Sequence, residues 1–145
     1  MILKKIKYQS EEYAQMLLLR TEILRKPLGL TFTEQQLSLD KDDILIGCFD
    51  EEENDLMGCC ILSKIDGNTI QLKQMAVSKK FQGEGIGKLV VGYAEEVSKA
   101  EGYCKIVLHA RKSVKGFYEK LGYSIIGKEF IEVSIPHFEM EKTIL

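Results

Sequence analysis

The chain lacks most of the features that announce a specialised class of protein. No C-x-x-C pair links its cysteines, Cys48, Cys59, Cys60 and Cys104, which excludes the common zinc and redox spacings. Cys48, Cys59 and Cys60 fall in strand-like apolar runs, where cysteine serves as a small buried residue. No metal site is expected. No apolar run approaches the roughly 20 residues that span a bilayer, so no membrane is expected as a partner. The N-terminal M-I-L-K-K-I-K-Y is too short in its apolar part for a signal peptide, and a cytoplasmic location follows as the expectation. Neither charge is in excess: 20 Lys and Arg face 22 Asp and Glu, a net charge of −2. Nucleic acid needs a concentrated basic surface, so it is not an expected partner. Internal repeats, linkers and low-complexity tracts are absent. At 145 residues, a single domain spanning residues 1–145 is expected, large enough for one core.

Against this plain background one segment stands out. Residues 74–88 read Q-M-A-V-S-K-K-F-Q-G-E-G-I-G-K. The apolar run of Leu72, Met75, Ala76 and Val77 reads as a strand. A basic stretch with Lys79 and Lys80 follows, then Gln82-Gly83-Glu84-Gly85-Ile86-Gly87-Lys88, then a long helical pattern. A strand that feeds a glycine-rich turn into a helix start is built to hold a phosphate. The glycines let backbone N–H groups converge on an anion, and the helix start adds unpaired donors and the positive end of its dipole. A P-loop is excluded, because Leu89 follows Gly87-Lys88 where Ser or Thr is required. A dinucleotide fingerprint is excluded, because Val90 stands where its third glycine should be. What remains is Q-x-x-G-x-G, carried by Gln82, Gly85 and Gly87.

The rest of the chain alternates strand and helix signals. Ile2 to Lys7 reads as a strand. Glu11 to Arg25 reads as a helix capped by Ser10, with Tyr13, Met16, Leu17, Leu19, Ile23 and Leu24 as its apolar stripe. Pro27 and Gly29 mark a loop. Thr33 with Gln36 reads as a capping box for a short helix to about Leu39. Strands are expected over Asp43 to Asp50, Leu56 to Ile65 and Thr69 to Val77. Gly87 to Gly102 reads as a long helix. Lys105 to His109 is a strand, Ser113 a candidate N-cap, and Val114, Phe117, Tyr118 and Leu121 have helical spacing ended by Gly122. Tyr123 to Val133 and His137 to Ile144 read as a closing hairpin around Pro136. The order is β-α-α-β-β-β-α-β-α-β-β. The long helix between the fourth and fifth strands implies one right-handed parallel crossover.

The Q-x-x-G-x-G loop and helix, the strand after them, and F-Y-x-K-x-G-[F/Y] at Phe117 to Tyr123 resemble the GNAT superfamily of acyl-CoA-dependent N-acyltransferases. The resemblance covers roughly residues 72–145, about half the chain. It implies an α/β fold of the α+β type: a mixed, mostly antiparallel sheet of about seven strands with one splayed parallel pair, flanked by about four helices. It also implies acetyl-CoA as co-substrate. The pyrophosphate would sit on the backbone of Gln82, Gly83, Glu84, Gly85, Ile86, Gly87 and Lys88, and the pantetheine arm beside Met75, Ala76 and Val77. Tyr118 would assist departure of the thiolate, or bind the cofactor. Many relatives carry Asn seven residues before this Tyr. Here that position is Arg111, which cannot accept a hydrogen bond, so the contact must change or go to phosphate instead, with Arg111 among the cofactor-binding candidates. His109, at a strand end, and Glu22, on the first helix, are the candidates for a general base.

The expected activity is transfer of an acetyl group to a primary amine, on a small molecule or a protein, by direct attack in a ternary complex. The alternatives are an acyl-CoA sensor or scaffold without turnover, and a nucleotide-phosphate binder unrelated to CoA. Either a monomer or a homodimer is compatible with the sequence. Ligands selective for the folded state stabilise it by mass action, so CoA or acetyl-CoA is expected to raise the melting temperature. The check is a thermal melt, and no shift at millimolar CoA contradicts the resemblance.

Overall fold

The computed structural model describes residues 1–145. Seven strands form one sheet in the order β1-β2-β3-β4-β5-β7-β6. They are β1 (Ile2–Ile6), β2 (Ile44–Phe49), β3 (Leu56–Lys64), β4 (Thr69–Val77), β5 (Lys105–Arg111), β6 (Ser124–Glu132) and β7 (Ile135–Thr143). Four α-helices accompany them: α1 (Glu11–Arg20), α2 (Glu34–Ser38), α3 (Ile86–Ala100) and α4 (Lys115–Lys120). Every neighbouring pair in the sheet is antiparallel except β4 and β5. This is the α+β architecture that the resemblance implies, with the one parallel crossover expected from the order of elements.

Two apolar cores lie on opposite faces of the sheet. One joins α3 and α4 to the sheet through Ile46, Cys60, Leu72, Ile86, Val90, Ala94, Leu108 and Met140. The other seats α1 through Tyr13, Met16 and Leu19 against Leu45, Phe49, Cys59, Ile61 and Ala76. Alternate residues of one strand therefore serve different cores, as the period of two requires. Gly58 is where α3 comes closest to the sheet: a Cβ there would lie 2.7 Å from Ile86 Cγ2. Only glycine lets the first residue of α3 rest on β3 in this way.

The parallel pairing of β4 and β5 runs from Thr69 opposite Lys105 to Leu72 opposite Leu108. It stops there, although β4 continues to Val77 and β5 to Arg111. A bulge accompanies the parting. Between Cys59 and Ile61 on β3 stands one residue, while β4 fits two between Lys73 and Ala76. The bulged Gln74 has a φ of 55°, a backbone region that residues other than glycine seldom occupy. A bulge bends and twists its strand, which turns the end of β4 away from β5.

Several local expectations change in the folded chain. The helix from Glu11 does run to Arg25, but its last turn, Thr21–Arg25, is π-helical. Lys26–Leu28 forms a short 3-10 turn with Pro27 inside it, and Gly29 ends it with a φ of 71°. Ser113 is not a cap: it lies inside a 3-10 turn, and Val114 holds the N-cap position of α4 without a side-chain hydrogen bond. The closing hairpin turns at Val133 and Ser134, both with positive φ, 45° and 65°, as a two-residue turn requires. Pro136 instead sits in β7 opposite Ile131. The ladder with β5 begins only at His137, so no partner strand needs the N–H that proline lacks. Ser10 and the Thr33–Gln36 box cap α1 and α2 as the sequence suggests.

One buried polar cluster fixes α1 to the segment after α2. Arg20, 2% exposed, donates from Nη1 to Asp40 Oδ2 at 2.9 Å. The Tyr13 hydroxyl donates to the same oxygen at 2.6 Å. Removing one partner of a buried pair leaves the other charge uncompensated, at a cost of ~3–5 kcal/mol. Asp40→Ala is therefore expected to destabilise the fold by about that amount, measured by urea unfolding. A loss below about 1 kcal/mol would show that water enters and solvates Arg20.

Candidate active site

Where β4 and β5 part, a cavity of about 840 Å³ opens. Its floor is Gln71 to Met75 and Val77 from β4, and Leu108 to Arg111 from β5. Beyond Leu72 and Leu108 the facing strand edges have no ladder partner, so the wedge offers backbone donors and acceptors to an extended ligand.

One wall is the glycine loop. Its shape follows from Gly83 and Gly85, whose φ angles are 83° and 79°. The Gln82 side chain donates from Nε2 to the Val77 carbonyl at 3.2 Å, tying the loop to the end of β4. That bond engages one of the two amide N–H donors, and Gln82 itself lines the cavity. The backbone is different. No N–H from Gln82 to Lys88 finds an acceptor in the chain, and the first that does is Leu89, to Gly85 O at 3.2 Å. Consecutive free donors at the start of a 15-residue helix form an anion cradle. Gly83, Gly85, Ile86, Gly87 and Lys88 line the cavity, whereas the Glu84 side chain points to solvent. Lys80 lies outside it and pairs with Asp55 at 3.8 Å.

The sequence-expected residues separate here. Met75 and Val77 border the cavity, while the Ala76 side chain is buried in the α1-facing core. Tyr118, 6% exposed, lines the cavity from α4, and its hydroxyl has no hydrogen-bond partner in the chain. Burial, with a smaller contribution from nearby Cys60, pushes its phenol above the ordinary value near 10. At neutral pH Tyr118 therefore holds its proton. Around it, Tyr123 donates to Glu95 at 3.0 Å, and Lys142 bridges Glu95 and the Leu121 carbonyl at 2.9 and 2.8 Å. These contacts fix the end of α4 onto α3 and β7.

Glu22 does not reach the cavity. It follows the 73% exposed Leu18 by four residues on the same helical face, and it borders a separate shallow groove beside Leu17, Thr21 and Phe32. Ile23, Leu24 and Arg25 are the residues of that turn that line the main cavity. His109 does line it, and its Nδ1 lies 3.0 Å from Glu132 Oε1. Glu132 was not singled out from sequence, yet it is the only carboxylate in the cavity wall. His137 completes the group: its Nδ1 donates to Ile135 O at 2.8 Å, and its Nε2 lies 3.6 Å from Glu132 Oε2. Phe130 packs between the imidazoles, its ring centroid 5.1 Å from that of His109 and 5.8 Å from that of His137. Nothing in the sequence pairs these residues. The turn at Val133 and Ser134 and the β5–β7 register do so.

Arg111 lies at the end of β5, where its Nη2 donates to the Leu24 carbonyl at 3.4 Å. It is thus anchored to the turn after α1 and not to the glycine loop. Cys59 and Cys60 are fully buried. Desolvation pushes the Cys59 thiol up to about 12 and raises the Cys60 thiol well above its ordinary value, so neither serves as a thiolate nucleophile at neutral pH.

The acetyltransferase (GNAT) family profile matches residues 11–123. The chain belongs to the GNAT acetyltransferase family. YyaT, an uncharacterised protein of Bacillus subtilis (strain 168), is 39% identical over 82 residues, 57% of this chain and 55% of YyaT. An uncharacterised N-acetyltransferase of Chlorobaculum tepidum is 31% identical over 80 residues, 55% of this chain and 50% of that protein. In these alignments the chain spans about half the length of the curated relatives it matches. An aminoglycoside 6′-N-acetyltransferase crystallised with coenzyme A superposes with a TM-score of 0.80 at 18% identity, covering 100% of this chain and 98% of that one. At that identity the shared property is the fold. The free N–H run of this GNAT chain and its wedge suit a pyrophosphate and an extended arm.

Gly87 sets up a direct test. A Cβ there would lie 3.2 Å from Phe117 Cζ and 3.7 Å from Val77 Cγ2, filling the gap between the loop and α4. At Gly85 nothing lies within 4 Å, so a side chain would enter ligand space, with about 1–2 kcal/mol of left-handed backbone strain. Gly85→Val and Gly87→Val are each expected to weaken CoA binding by on the order of 10²-fold in calorimetric titration, with circular dichroism preserved. Parent-like affinity in both variants would place the pyrophosphate elsewhere.

Proposed function

We propose that this GNAT chain is an N-acetyltransferase that moves an acetyl group from acetyl-CoA to a primary amine by direct attack in a ternary complex. The observation that carries this reading is a protonated, unpartnered Tyr118 hydroxyl in the same cavity as the unsatisfied N–H run of the glycine loop. Bound acetyl-CoA supplies an acyl carbon already activated as a thioester. Gln82 to Lys88 would hold its pyrophosphate by backbone N–H groups, with Lys88 adding positive charge. The free edges of Lys73 to Val77 would hold the amides of its arm. The buried cysteines support direct attack over a covalent acyl-enzyme.

Two proton positions complete the chemistry. Tyr118 holds a proton at Oη for the departing sulfur, and its phenolate would take up the second proton that the nitrogen sheds after attack. On the far side of the cavity the His109–Glu132–His137 group takes the proton that an ammonium acceptor must lose before its nitrogen can attack. An imidazole that gains this proton is stabilised by Glu132 between the two rings. His109 and His137 are therefore the proposed bases, and Glu132 positions and stabilises them.

Tyr118→Phe keeps the ring and its edge contacts with Phe117 and Tyr123 and removes only the hydroxyl. The expected result is a fall in kcat of roughly 10²–10⁴ with acetyl-CoA affinity nearly unchanged. The loss shrinks with a donor whose leaving thiol is more acidic. The pH profile carries a sign as well. An acid works only while protonated, and burial raises the phenol, so Tyr118 causes no alkaline fall in kcat below its ordinary value near 10. Full kcat in the Phe variant, where chemistry limits the rate, assigns Tyr118 to packing. Tight acetyl-CoA binding without turnover on any amine assigns the chain to the sensor class.

A further inference from the structure

The chain has three arginines. Arg20 is neutralised by Asp40 at 2.9 Å. Arg25 and Arg111 both line the cavity, and neither has a carboxylate within ion-pair distance. Arg25 is held in place by packing, its guanidinium 4.6 Å from the centre of the Phe32 ring, which Arg20 flanks at the same distance. Its Nε is buried without any hydrogen-bond partner. Arg111 spends one long hydrogen bond, 3.4 Å, on Leu24 O, the residue beside Arg25. Burial first, then the charges of Arg20 and Arg111, disfavour the Arg25 cation, against a smaller opposing attraction from Glu132. Two adjacent, partly desolvated cations with unused donors are costly unless an anion joins them.

The rest of the cavity wall narrows the anion's identity. Glu132 is its only carboxylate and is shared with His109 and His137. Lys73 is already paired with Asp43 at 3.7 Å. Away from Lys88 at the glycine loop, the guanidinium pair has no direct counterion while Glu132 presents a negative charge to the same space, so this rim asks for opposite charges on the two ends of one ligand. Guanidinium forks match carboxylate geometry. Glu132 faces the same space and suits an ammonium.

We infer that the acceptor is a zwitterionic amine, whose carboxylate is bound by Arg25 and Arg111 and whose ammonium is received at the His109–Glu132–His137 group. This rests on the acetyltransferase reading and specifies its substrate class: amino acids and related amino carboxylates, not polyamines. A polyamine would bring further positive charge against the unpaired arginines.

The test is calorimetric titration of the CoA-saturated full chain with ω-amino carboxylates, from glycine to aminovalerate, and with glutamate. Each is compared with its carboxamide and with the diamine of equal length. At least one carboxylate is expected to bind ten- to a hundredfold more tightly than its carboxamide. Arg25→Gln and Arg111→Gln, as separate variants, are expected to remove that preference while CoA affinity stays within about threefold. The inference is overturned if no carboxylate is preferred, if a diamine binds more tightly, or if the preference survives both substitutions. It is also overturned if the variants lose CoA instead, which assigns the arginines to the cofactor. The selectivity is read from binding, so it is scored without turnover. Absence of CoA binding in the parent chain contradicts the acetyltransferase reading alone, and the same titration then proceeds on the free chain.

Discussion

Everything functional in this molecule depends on a parallel ladder that stops early. β4 and β5 share hydrogen bonds only as far as Leu72 and Leu108. Past that point each strand keeps its outer neighbour, β3 on one side and β7 on the other. The two inner edges therefore carry backbone groups without partners inside an otherwise closed sheet. Burying such groups unpaired is costly, so this opening is stable only where solvent or a ligand takes their place. The bulge at Gln74, with its left-handed backbone, belongs to the same device, because it turns the end of β4 out of line. A closed sheet here would pack better and would have no cavity.

The elements around the wedge hold it open from both faces. On one face, the Arg20–Asp40–Tyr13 cluster anchors the helix whose final π turn brings Ile23, Leu24 and Arg25 to the rim. On the other, Glu95, Lys142 and Tyr123 fix α4 and with it Tyr118. Both anchors are hydrogen-bonded and charged, so their directionality adds to the less specific pressure of the apolar cores. The result is a cavity with two electrostatic characters. The glycine loop offers backbone dipoles and one exposed lysine. The opposite rim offers two unpaired guanidiniums, two imidazoles and one carboxylate. The proposed anionic donor and zwitterionic acceptor would meet these two rims with complementary charge.

Much of this was legible in the chain, and for identifiable reasons. Gly83, Gly85 and Gly87 sit between a strand and a helix, and positive φ with close approach is a property that residue type reveals directly. Thr33 with Gln36 declares a cap through a fixed local geometry. Glu22 lies outside the main cavity, because a helix next to a cleft does not fix which residues of its last turn reach that cleft. Proline is common in turns, which points to Pro136 as the turn. The turn instead fell at Val133 and Ser134, where sheet register outweighed residue preference. Ser113 has the chemistry of a cap, but the 3-10 turn at Lys112–Val114 moved the start of α4 past it.

Local chemistry was written in the chain: the order of strands and helices, the glycine loop with its free N–H groups, and the aromatic helix bearing Tyr118. These depend on residues within one or two turns of each other, whose interactions do not need the rest of the fold. Tertiary structure alone decided which distant side chains share a site. Glu132 meets His109 and His137 because a two-residue turn and the β5–β7 ladder set that register. Arg25 meets Arg111 because the π turn after α1 comes to rest against the free end of β5. Such contacts span many residues of chain and are selected by packing and hydrogen-bond register across the whole sheet. No local pattern encodes them.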